Sequence, residues 1–381
     1  GRNVINYGII PTPTAQFLVE QNKLAGGIVI TASHNPIQWN GLKFIDADGC
    51  FLSGDKNKKL FEIADSDQTH DSTPGSVQSI ENGYLPHINH TLNLSIIDAG
   101  AIEKRSFTVV VDAVNGAASS ALPAMVKALG CRVHRLYCNP DGEFPRGPEP
   151  LSHNLKQLGE AVVTHQADIG IATDPDGDRL AIVDEKGNPL GEEYTLTICA
   201  DGLLKSTSYP KTIVTNLSTT MALDKVAEKY GSRVIRSAVG EINVVNKMKE
   251  VGAVLGGEGN GGVILPESHY GRDSLVGTSM FLNRMAQDTK TVSEIFQSMP
   301  QFIMVKDKIE LGSMDTQTAL DKIEAAYPDV DSDKTDGLKL SWENSWVHIR
   351  KSNTEPIIRI YAESETKKRT SALVEGVKQL V

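Results

Sequence analysis

The chain has 381 residues, too long for one ordinary core, and at roughly 100 to 200 residues per domain it predicts two to four domains. Hydrophobic residues at 40% and charged residues at 23% exclude disorder as the default, and a net charge of −10 argues against a nucleic-acid partner, so an anionic ligand would need arginines and lysines gathered locally. No stretch approaches the roughly 18 continuous apolar residues of a membrane helix, and the opening GRNVINYGII lacks a basic-then-apolar leader, a pattern that reads as cytoplasmic with no membrane partner.

In chain order, Tyr7–Ile10 reads as a strand, Thr12 or Thr14 as a helix cap, and Gly26–Gly27 as the turn before a strand over Ile28–Thr31. Asp65–Gly83 is polar and turn-rich and reads as a connection. From Phe107, FTVVVDAVNGAASSALPAMVKALGCRVHRLY runs strand, polar turn, amphipathic helix, Gly130 and strand, a β–α–β unit. From Lys211, KTIVTNLSTTMALDKVAEKYGSRVIRS repeats that order with Gly231 before its second strand, and Leu203–Pro210 reads as a short polar link. With the looser opening copy, the unit occurs three times. It predicts three similar mixed α/β domains over 1–95, 104–204 and 209–299, with helices covering buried strands such as Val109–Val111 and Ile213–Val214. After Met299–Pro300 the pattern becomes FIMVKDKIEL, a helix around Thr316–Ala326, the strand pair WVHIRKS and PIIRIYAES and a final helix from Lys367, a smaller α+β domain over 302–381. Cys50, Cys131, Cys138 and Cys199 are scattered without a CxxC pair and read as buried free thiols.

Four loops carry chemistry. In GGIVITASHNPIQWNGLKF a strand releases Ser33, His34, Asn35 and Pro36 into a loop, with Lys43 downstream to stabilise an added phosphate or assist proton transfer. A Ser33–His34 hydrolase pair is disfavoured, because neighbouring side chains in extended backbone point apart. In ADIGIATDPDGDRLAIVDEKG, Asp174, Asp176 and Asp178 alternate across a turn shaped by Pro175 and Gly177 and offer hard oxygens to Mg²⁺ or Ca²⁺. An EF-hand is excluded by Arg179 at the position that needs glycine and by strand-like flanks. In AVLGGEGNGGVILPESHYGRD, Gly257, Gly259 and Gly262 fit a dinucleotide fingerprint in spacing, but strand-like VILPES follows where a helix must open. A flexible loop offering Glu258 and Asn260 to sugar hydroxyls fits better. In WVHIRKSNTEPIIRIYAE, Arg350, Lys351, Ser352, Asn353, Thr354 and Arg359 collect donors suited to phosphate oxygens.

TASHNP, DPDGDR, GEGNGG and RKSNTEP, in this order and one per domain, resemble the four active-site loops of the α-D-phosphohexomutases across essentially the whole chain. The resemblance implies that Ser33 is the phosphoserine, that it and Asp174, Asp176 and Asp178 hold Mg²⁺, and that Arg179, Lys43 and His34 surround the transferring phosphoryl group. It implies a sugar contact at Glu258, with Arg272 nearby, and a grip on the non-reacting phosphate by Arg350, Ser352, Asn353 and Thr354. The implied reaction interconverts hexose 1- and 6-phosphates, with a hexose 1,6-bisphosphate as intermediate and activator. The fourth domain must grip and release, which places a hinge near Pro300. The resemblance also implies residues upstream of Gly1, including a strand and an arginine-bearing glycine loop, and so an incomplete first domain. The third loop with HYGRD favours phosphoglucosamine mutase over a phosphomannomutase/phosphoglucomutase. Outside this class, a Mg²⁺-dependent phosphatase would also use clustered aspartates.

Overall fold

A computed structural model of the chain describes residues 1–66, 73–310, 315–351 and 357–381. Ser352, Asn353 and Thr354 therefore lie outside the described residues.

The apolar run Thr108–Asp112 is buried along its length and pairs in parallel with Arg132–Leu136 and Ile169–Thr173, and Leu180–Val183 adds an antiparallel edge to the latter. A strand with β-branched residues on both faces needs cover on both. Val109 and Val111 enter a core with Leu122 and Met125 of helix Ala121–Ala128, while Val110 meets Leu158 and Val162 of helix Lys156–Thr164. The Lys211 repeat builds the same sheet, in the order Arg233–Ser237, Thr212–Asn216, Leu255–Glu258 and antiparallel Gly262–Ile264. Helices Glu193–Lys205 and Ser274–Ala286 contribute to one continuous core that reaches both sheets through Val109 and Ile213.

The opening region departs from the repeat. It holds two two-stranded sheets, Val4–Asn6 parallel to Val77–Ser79 and Gly27–Ile30 antiparallel to Leu42–Ile45. The first strand is therefore Val4–Asn6 and not Tyr7–Ile10: Gly8 turns the backbone at φ +65°, and Ile10 joins Phe17 and Leu18 in a small core. Thr12 and Thr14 do not cap helix Thr12–Gln21, whose N-cap is Pro11; both hydroxyls are spent on tertiary contacts. The Asp65–Gly83 connection contains the short strand Val77–Ser79, and Leu203 and Leu204 of the expected polar link are buried in the Glu193–Lys205 helix.

The last domain is a five-stranded antiparallel sheet ordered Ile303–Glu310, Ile357–Ser364, Ser345–Lys351, Leu338–Trp342 and Asp331–Asp333. Helices Thr316–Ala325 and Lys367–Lys378, capped by Asp315 and Thr366, cover the face carrying Leu340, Val347, Ile349, Ile358 and Ile360. All four cysteines are free thiols, with Cys50, Cys131 and Cys199 buried and Cys138 half-buried. Among the described residues no helix is long and apolar enough to cross a membrane.

Candidate active site

Strand Ile169–Thr173 and its antiparallel neighbour Leu180–Val183 are joined by the acidic loop, so the strand ends project Asp174, Asp176 and Asp178 into the interior. The loop is tied from below. Ala117 N–H donates to Pro175 O at 2.7 Å, and a Cβ on Gly116 would intrude on Pro175, so glycine is required by close approach. From the first domain, Thr12 N–H donates to Asp176 O at 2.9 Å and Thr12 Oγ1 to Asp176 Oδ2 at 2.6 Å.

One oxygen from each of the three aspartates lies within 4.8 Å of the others. Asp174 Oδ2 and Asp178 Oδ1 are buried with no hydrogen-bond partner among the described residues. Burial, with Asp178 and Asp176 adding like charge, pushes the Asp174 pKa well above the usual carboxylate range. Burial would do the same to Asp178, but Arg272, Lys43 and Arg179 hold its pKa far below that range. Orphaned oxygens, convergent geometry and mutual repulsion fit a hard divalent cation held by oxygen ligands. An EF-hand is ruled out by the strands on either side.

Ser33 sits with φ +54°, in the left-handed region uncommon for a non-glycine residue, and its N–H donates to Thr31 Oγ1 at 3.0 Å. This conformation sets Ser33 Oγ 3.2 Å from Asp176 Oδ1 and 3.3 Å from His34 Nδ1, so the expectation that the two side chains point apart fails because the backbone is not extended. Lys43 Nζ lies 2.6 Å from Asp176 Oδ2 and 3.4 Å from Asp178 Oδ2. Burial alone would lower its pKa, but Asp178 and Asp176 raise it, so Lys43 stays an ammonium. Arg179 donates to Glu149 Oε1 at 2.6 Å, and its Nη2 lies 2.9 Å from His34 Nδ1. Burial and then Arg179 lower the His34 pKa, keeping the imidazole neutral near pH 7.

The glycine loop is not a flexible strap but a short reverse turn between antiparallel strands Leu255–Glu258 and Gly262–Ile264. Glu258 is 3% exposed and takes hydrogen bonds from Asn216 Nδ2 at 2.8 Å, Gly240 N–H at 3.1 Å and Arg272 Nη1 at 2.8 Å. Asn260 accepts from Gly262 N–H through Oδ1 and turns its Nδ2 toward Glu258. Arg272 links the two central loops, bonding Asp178 Oδ2 at 2.8 Å and Glu241 Oε2 at 3.0 Å besides Glu258.

On the last domain, Arg350 and Arg359 are paired across adjacent strands, and Arg350 Nη1 lies 3.4 Å from Asp336. The turn after Asn216 docks this domain: Lys339 donates to Leu217 O at 2.7 Å, Ser218 Oγ meets His348 Nδ1 at 2.8 Å and Met221 N–H donates to Glu363 at 2.7 Å. Tyr194 Oη donates to Pro300 O and accepts from Phe302 N–H, both at 3.1 Å, and so brackets the expected hinge.

His34, Arg179, Glu258, Asn260, Arg272, Arg350 and Arg359 line one cleft of about 490 Å³, with Ser33 and the aspartate triad behind His34 and Arg179 at one end. Ser33 itself opens onto a neighbouring cavity of about 760 Å³ shared with Asp176. Sequence reasoning missed the residues that brace these groups, Thr12, Glu149, Glu193 and Glu241. Glu193 accepts from Lys306 at 2.9 Å and from Thr220 N–H at 3.1 Å; burial, opposed by Lys306, raises its pKa to about 7. Glu193 and Glu241 each stand in the first turn of a helix, where acids are common for the helix dipole, a real signal but an unspecific one.

Family models described as phosphoglucomutase/phosphomannomutase α/β/α domains I, II and III and the C-terminal domain match residues 1–71, 82–187, 191–302 and 305–380. A phosphoglucomutase/phosphomannomutase of Thermococcus kodakarensis is 35% identical, the match covering 100% of this chain and 84% of that protein. A probable phosphoglucosamine mutase of Methanopyrus kandleri is 32% identical over 98% of this chain and 82% of its own length. A phosphoglucosamine/phosphogalactosamine mutase of Sulfurisphaera tokodaii is 31% identical over 100% and 85%. Among solved structures, a phosphoglucomutase/phosphomannomutase family protein of Burkholderia thailandensis superimposes with a TM-score of 0.85 at 25% identity, covering 100% of this chain and 82% of that one. Four domains that bring an acidic triad, a poised serine and paired arginines to one cleft agree with these matches, and the chain belongs to the phosphoglucomutase/phosphomannomutase family, the α-D-phosphohexomutases.

Proposed function

We propose that this phosphohexomutase works through a phosphorylated Ser33 with Mg²⁺ on Asp174, Asp176 and Asp178, and that glucosamine phosphate is its preferred substrate. The observation that carries the reading is the placement of Ser33 Oγ on Asp176, next to the triad, with Arg350 and Arg359 lining the same cleft as the His34 and Arg179 that flank it. The two arginines suit the phosphate that does not react. That leaves the far end of the sugar at Ser33. When bound, the cation would supply positive charge to the oxygens of the transferring phosphoryl group.

In the first half-reaction the P–O bond to Ser33 Oγ breaks as one forms to the sugar hydroxyl. The sugar hydroxyl gives up a proton and the departing Ser33 Oγ takes one up; neutral His34, with Nδ1 3.3 Å from Ser33 Oγ, is suited to relay it from one oxygen to the other. Lys43 as an ammonium and Arg179 offset charge on the shared oxygens, and such fixed positive groups are where most of the rate enhancement should arise. The bisphosphate then reorients in the cleft and returns its other phosphate to Ser33. A hexose 1,6-bisphosphate accordingly serves as activator.

The amino sugar is favoured by the Methanopyrus and Sulfurisphaera relatives' names. Glu149, Glu192, Glu193, Glu241 and Glu258 all line the cleft, but each is paired with Arg179, Lys306 or Arg272, so the lining by itself does not separate a 2-ammonium group from a hydroxyl. The Thermococcus relative's name supports a second reading, a phosphoglucomutase/phosphomannomutase. Comparing kcat/KM for glucosamine, mannose and glucose 1-phosphates decides between them: the proposal expects glucosamine to lead, and a lead by mannose or glucose overturns it. Release of inorganic phosphate in place of isomerised sugar would instead make the chain a phosphatase.

A further inference from the structure

A second group of metal-ligating side chains lies outside the cleft. His87, on helix Leu85–Leu92, and His269, in the turn before helix Ser274–Ala286, each bring Nε2 to 2.9 Å from the same oxygen, Asp273 Oδ2. All three residues are sealed from solvent, at 0%, 2% and 1% exposure. The second carboxylate oxygen, Oδ1, is already spent on the N–H groups of Leu275 and Val276 as helix cap.

Hydrogen bonding alone leaves this cluster badly served. His87 Nε2 is buried without a hydrogen-bond partner among the described residues although the carboxylate is close, so its N–H axis is not aimed at Asp273 Oδ2. Around it, Gln16 Nε2, His90 Nε2 and His269 Nδ1 are orphaned in the same way. Gln16 packs against Gly271, and Phe17 stacks on His87 and meets the His90 ring at a tilt. Buried orphaned donors and acceptors are costly, and an imidazole nitrogen orphaned 2.9 Å from a buried carboxylate oxygen calls for a missing partner. His269 Nε2 does meet Asp273 Oδ2 with hydrogen-bond geometry, so the off-axis member is His87 alone, and an off-axis approach of a nitrogen to an oxygen is what a shared cation between them produces. With bonds of about 2.0–2.2 Å, neighbouring nitrogen and oxygen ligands stand roughly 2.9–3.4 Å apart, and each points at the ion instead of at the other. The outer partner is also in place: His87 Nδ1 lies 3.0 Å from Thr14 Oγ1, the contact that fixes the tautomer of a metal-bound imidazole.

We infer that His87, His269 and Asp273 form a structural site for a first-row divalent transition metal ion, zinc foremost, separate from the aspartate triad. Two imidazoles and one carboxylate are a borderline donor set that selects zinc or cobalt over Mg²⁺, whereas the all-oxygen triad does the reverse. The ion joins helix Leu85–Leu92, within the stretch matched by the domain II model, to the turn that carries Arg272, one residue before Asp273; Arg272 itself touches Asp178 and Glu258.

The test uses the whole chain, unfolded with a chelator and refolded with Co²⁺ in the presence of Mg²⁺ in large excess, then desalted. The expected result is one Co²⁺ per chain with a visible ligand-field absorption, retained in Asp176→Asn and lost in His87→Gln and His269→Gln. Thr14→Val should weaken binding about 10- to 100-fold while leaving stoichiometry reachable. Should the histidine variants not fold, the wild type and Asp176→Asn still decide. No Co²⁺ bound to the wild type under excess Mg²⁺, or binding that disappears with Asp176, overturns the inference and leaves a hydrogen-bonded His–Asp–His cluster only.

Discussion

The two central sheets are built alike and used differently. In each, three parallel strands are completed by an antiparallel fourth, and the connection between the third and fourth strands reaches the cleft. In one sheet that connection is the six-residue acidic loop from Asp174 to Arg179; in the other it is the tight turn Gly259, Asn260 and Gly261. The leading strands also end alike, Asp112 Oδ1 accepting from Val114 N–H and Asn216 Oδ1 from Ser218 N–H, both at 2.9 Å. Their outer atoms diverge: Asp112 holds Arg146, which braces the acidic loop at Thr173 O, whereas Asn216 holds Glu258. The longer connection has room to gather three carboxylates for a cation. The shorter one can only present a carboxylate and backbone to a neutral or cationic ligand. Loop length and one Asp-to-Asn difference thus give the same scaffold two different turns, which the proposed function uses for phosphate chemistry in one domain and for sugar recognition in the next.

The comparison breaks most sharply at Asp178 and Glu258, the carboxylates from the two connections that Arg272 links. Asp178→Asn should cut kcat on the order of 10²–10³-fold. Glu258→Gln, at the matching turn, should cost about tenfold in kcat/KM, carried mainly by KM; steady-state kinetics separates the two, and equal kcat losses would erase the proposed division of labour. Next in size are the strand ends. Asp112→Asn leaves Arg146 buried beside a neutral amide, and Asn216→Asp sets a carboxylate against Glu258. Each should destabilise by about 3 kcal/mol, read as a fall in the denaturant midpoint. The double exchange does not restore either, because the partners differ.

Smaller still are the two glycines under the connections. A Cβ at Gly116 would intrude on Pro175 and one at Gly259 on Glu193. Each alanine should cost about 1–3 kcal/mol, but Gly116→Ala should weaken Mg²⁺ activation while Gly259→Ala should alter the sugar's KM. The smallest effect lies in the helical layer that both sheets share. Arg284 and Lys205 face Asp288; partial burial would raise its pKa, but hydrogen bonds from Arg284, the Lys290 N–H and Lys205 lower it to about 2. A depressed carboxylate contributes stability that is present above its unfolded pKa of about 3.9 and is lost as pH falls through about 2. The group is largely solvated, so the contribution should not exceed about 1 kcal/mol. Asp288→Asn should flatten that part of the acid unfolding curve.

Much of this was legible in the sequence because buried parallel strands leave apolar runs, as at Val109–Val111 and Ile213–Val214, and because the chemistry sits where those runs stop. The acidic cluster could be placed that way, whereas Lys43 and Arg350 were read from the loops beside them and stand inside strands Leu42–Ile45 and Ser345–Lys351. The first domain was less legible: Ile9 and Ile10 look like a strand, yet Ile10 turns into a core with Phe17, and the real strand Val4–Asn6 is short and exposed. Ser33's left-handed backbone has no composition signal, so its contact with His34 was read the wrong way. Thr12 looked like a cap because threonine before a helix usually is one, and only the tertiary fold reveals that its hydroxyl is taken by Asp176. Glu149, Glu193 and Glu241 belong to no motif, since each gains its role from a distant basic residue.

The central claim, that Ser33 carries the phosphoryl group, is tested most directly by intact-protein mass before and after incubation with glucose 1,6-bisphosphate and Mg²⁺, for the wild type and for Ser33→Ala. The account predicts a gain of one phosphoryl group in the wild type, discharged by a hexose monophosphate and missing from Ser33→Ala. An equal gain in Ser33→Ala would contradict it.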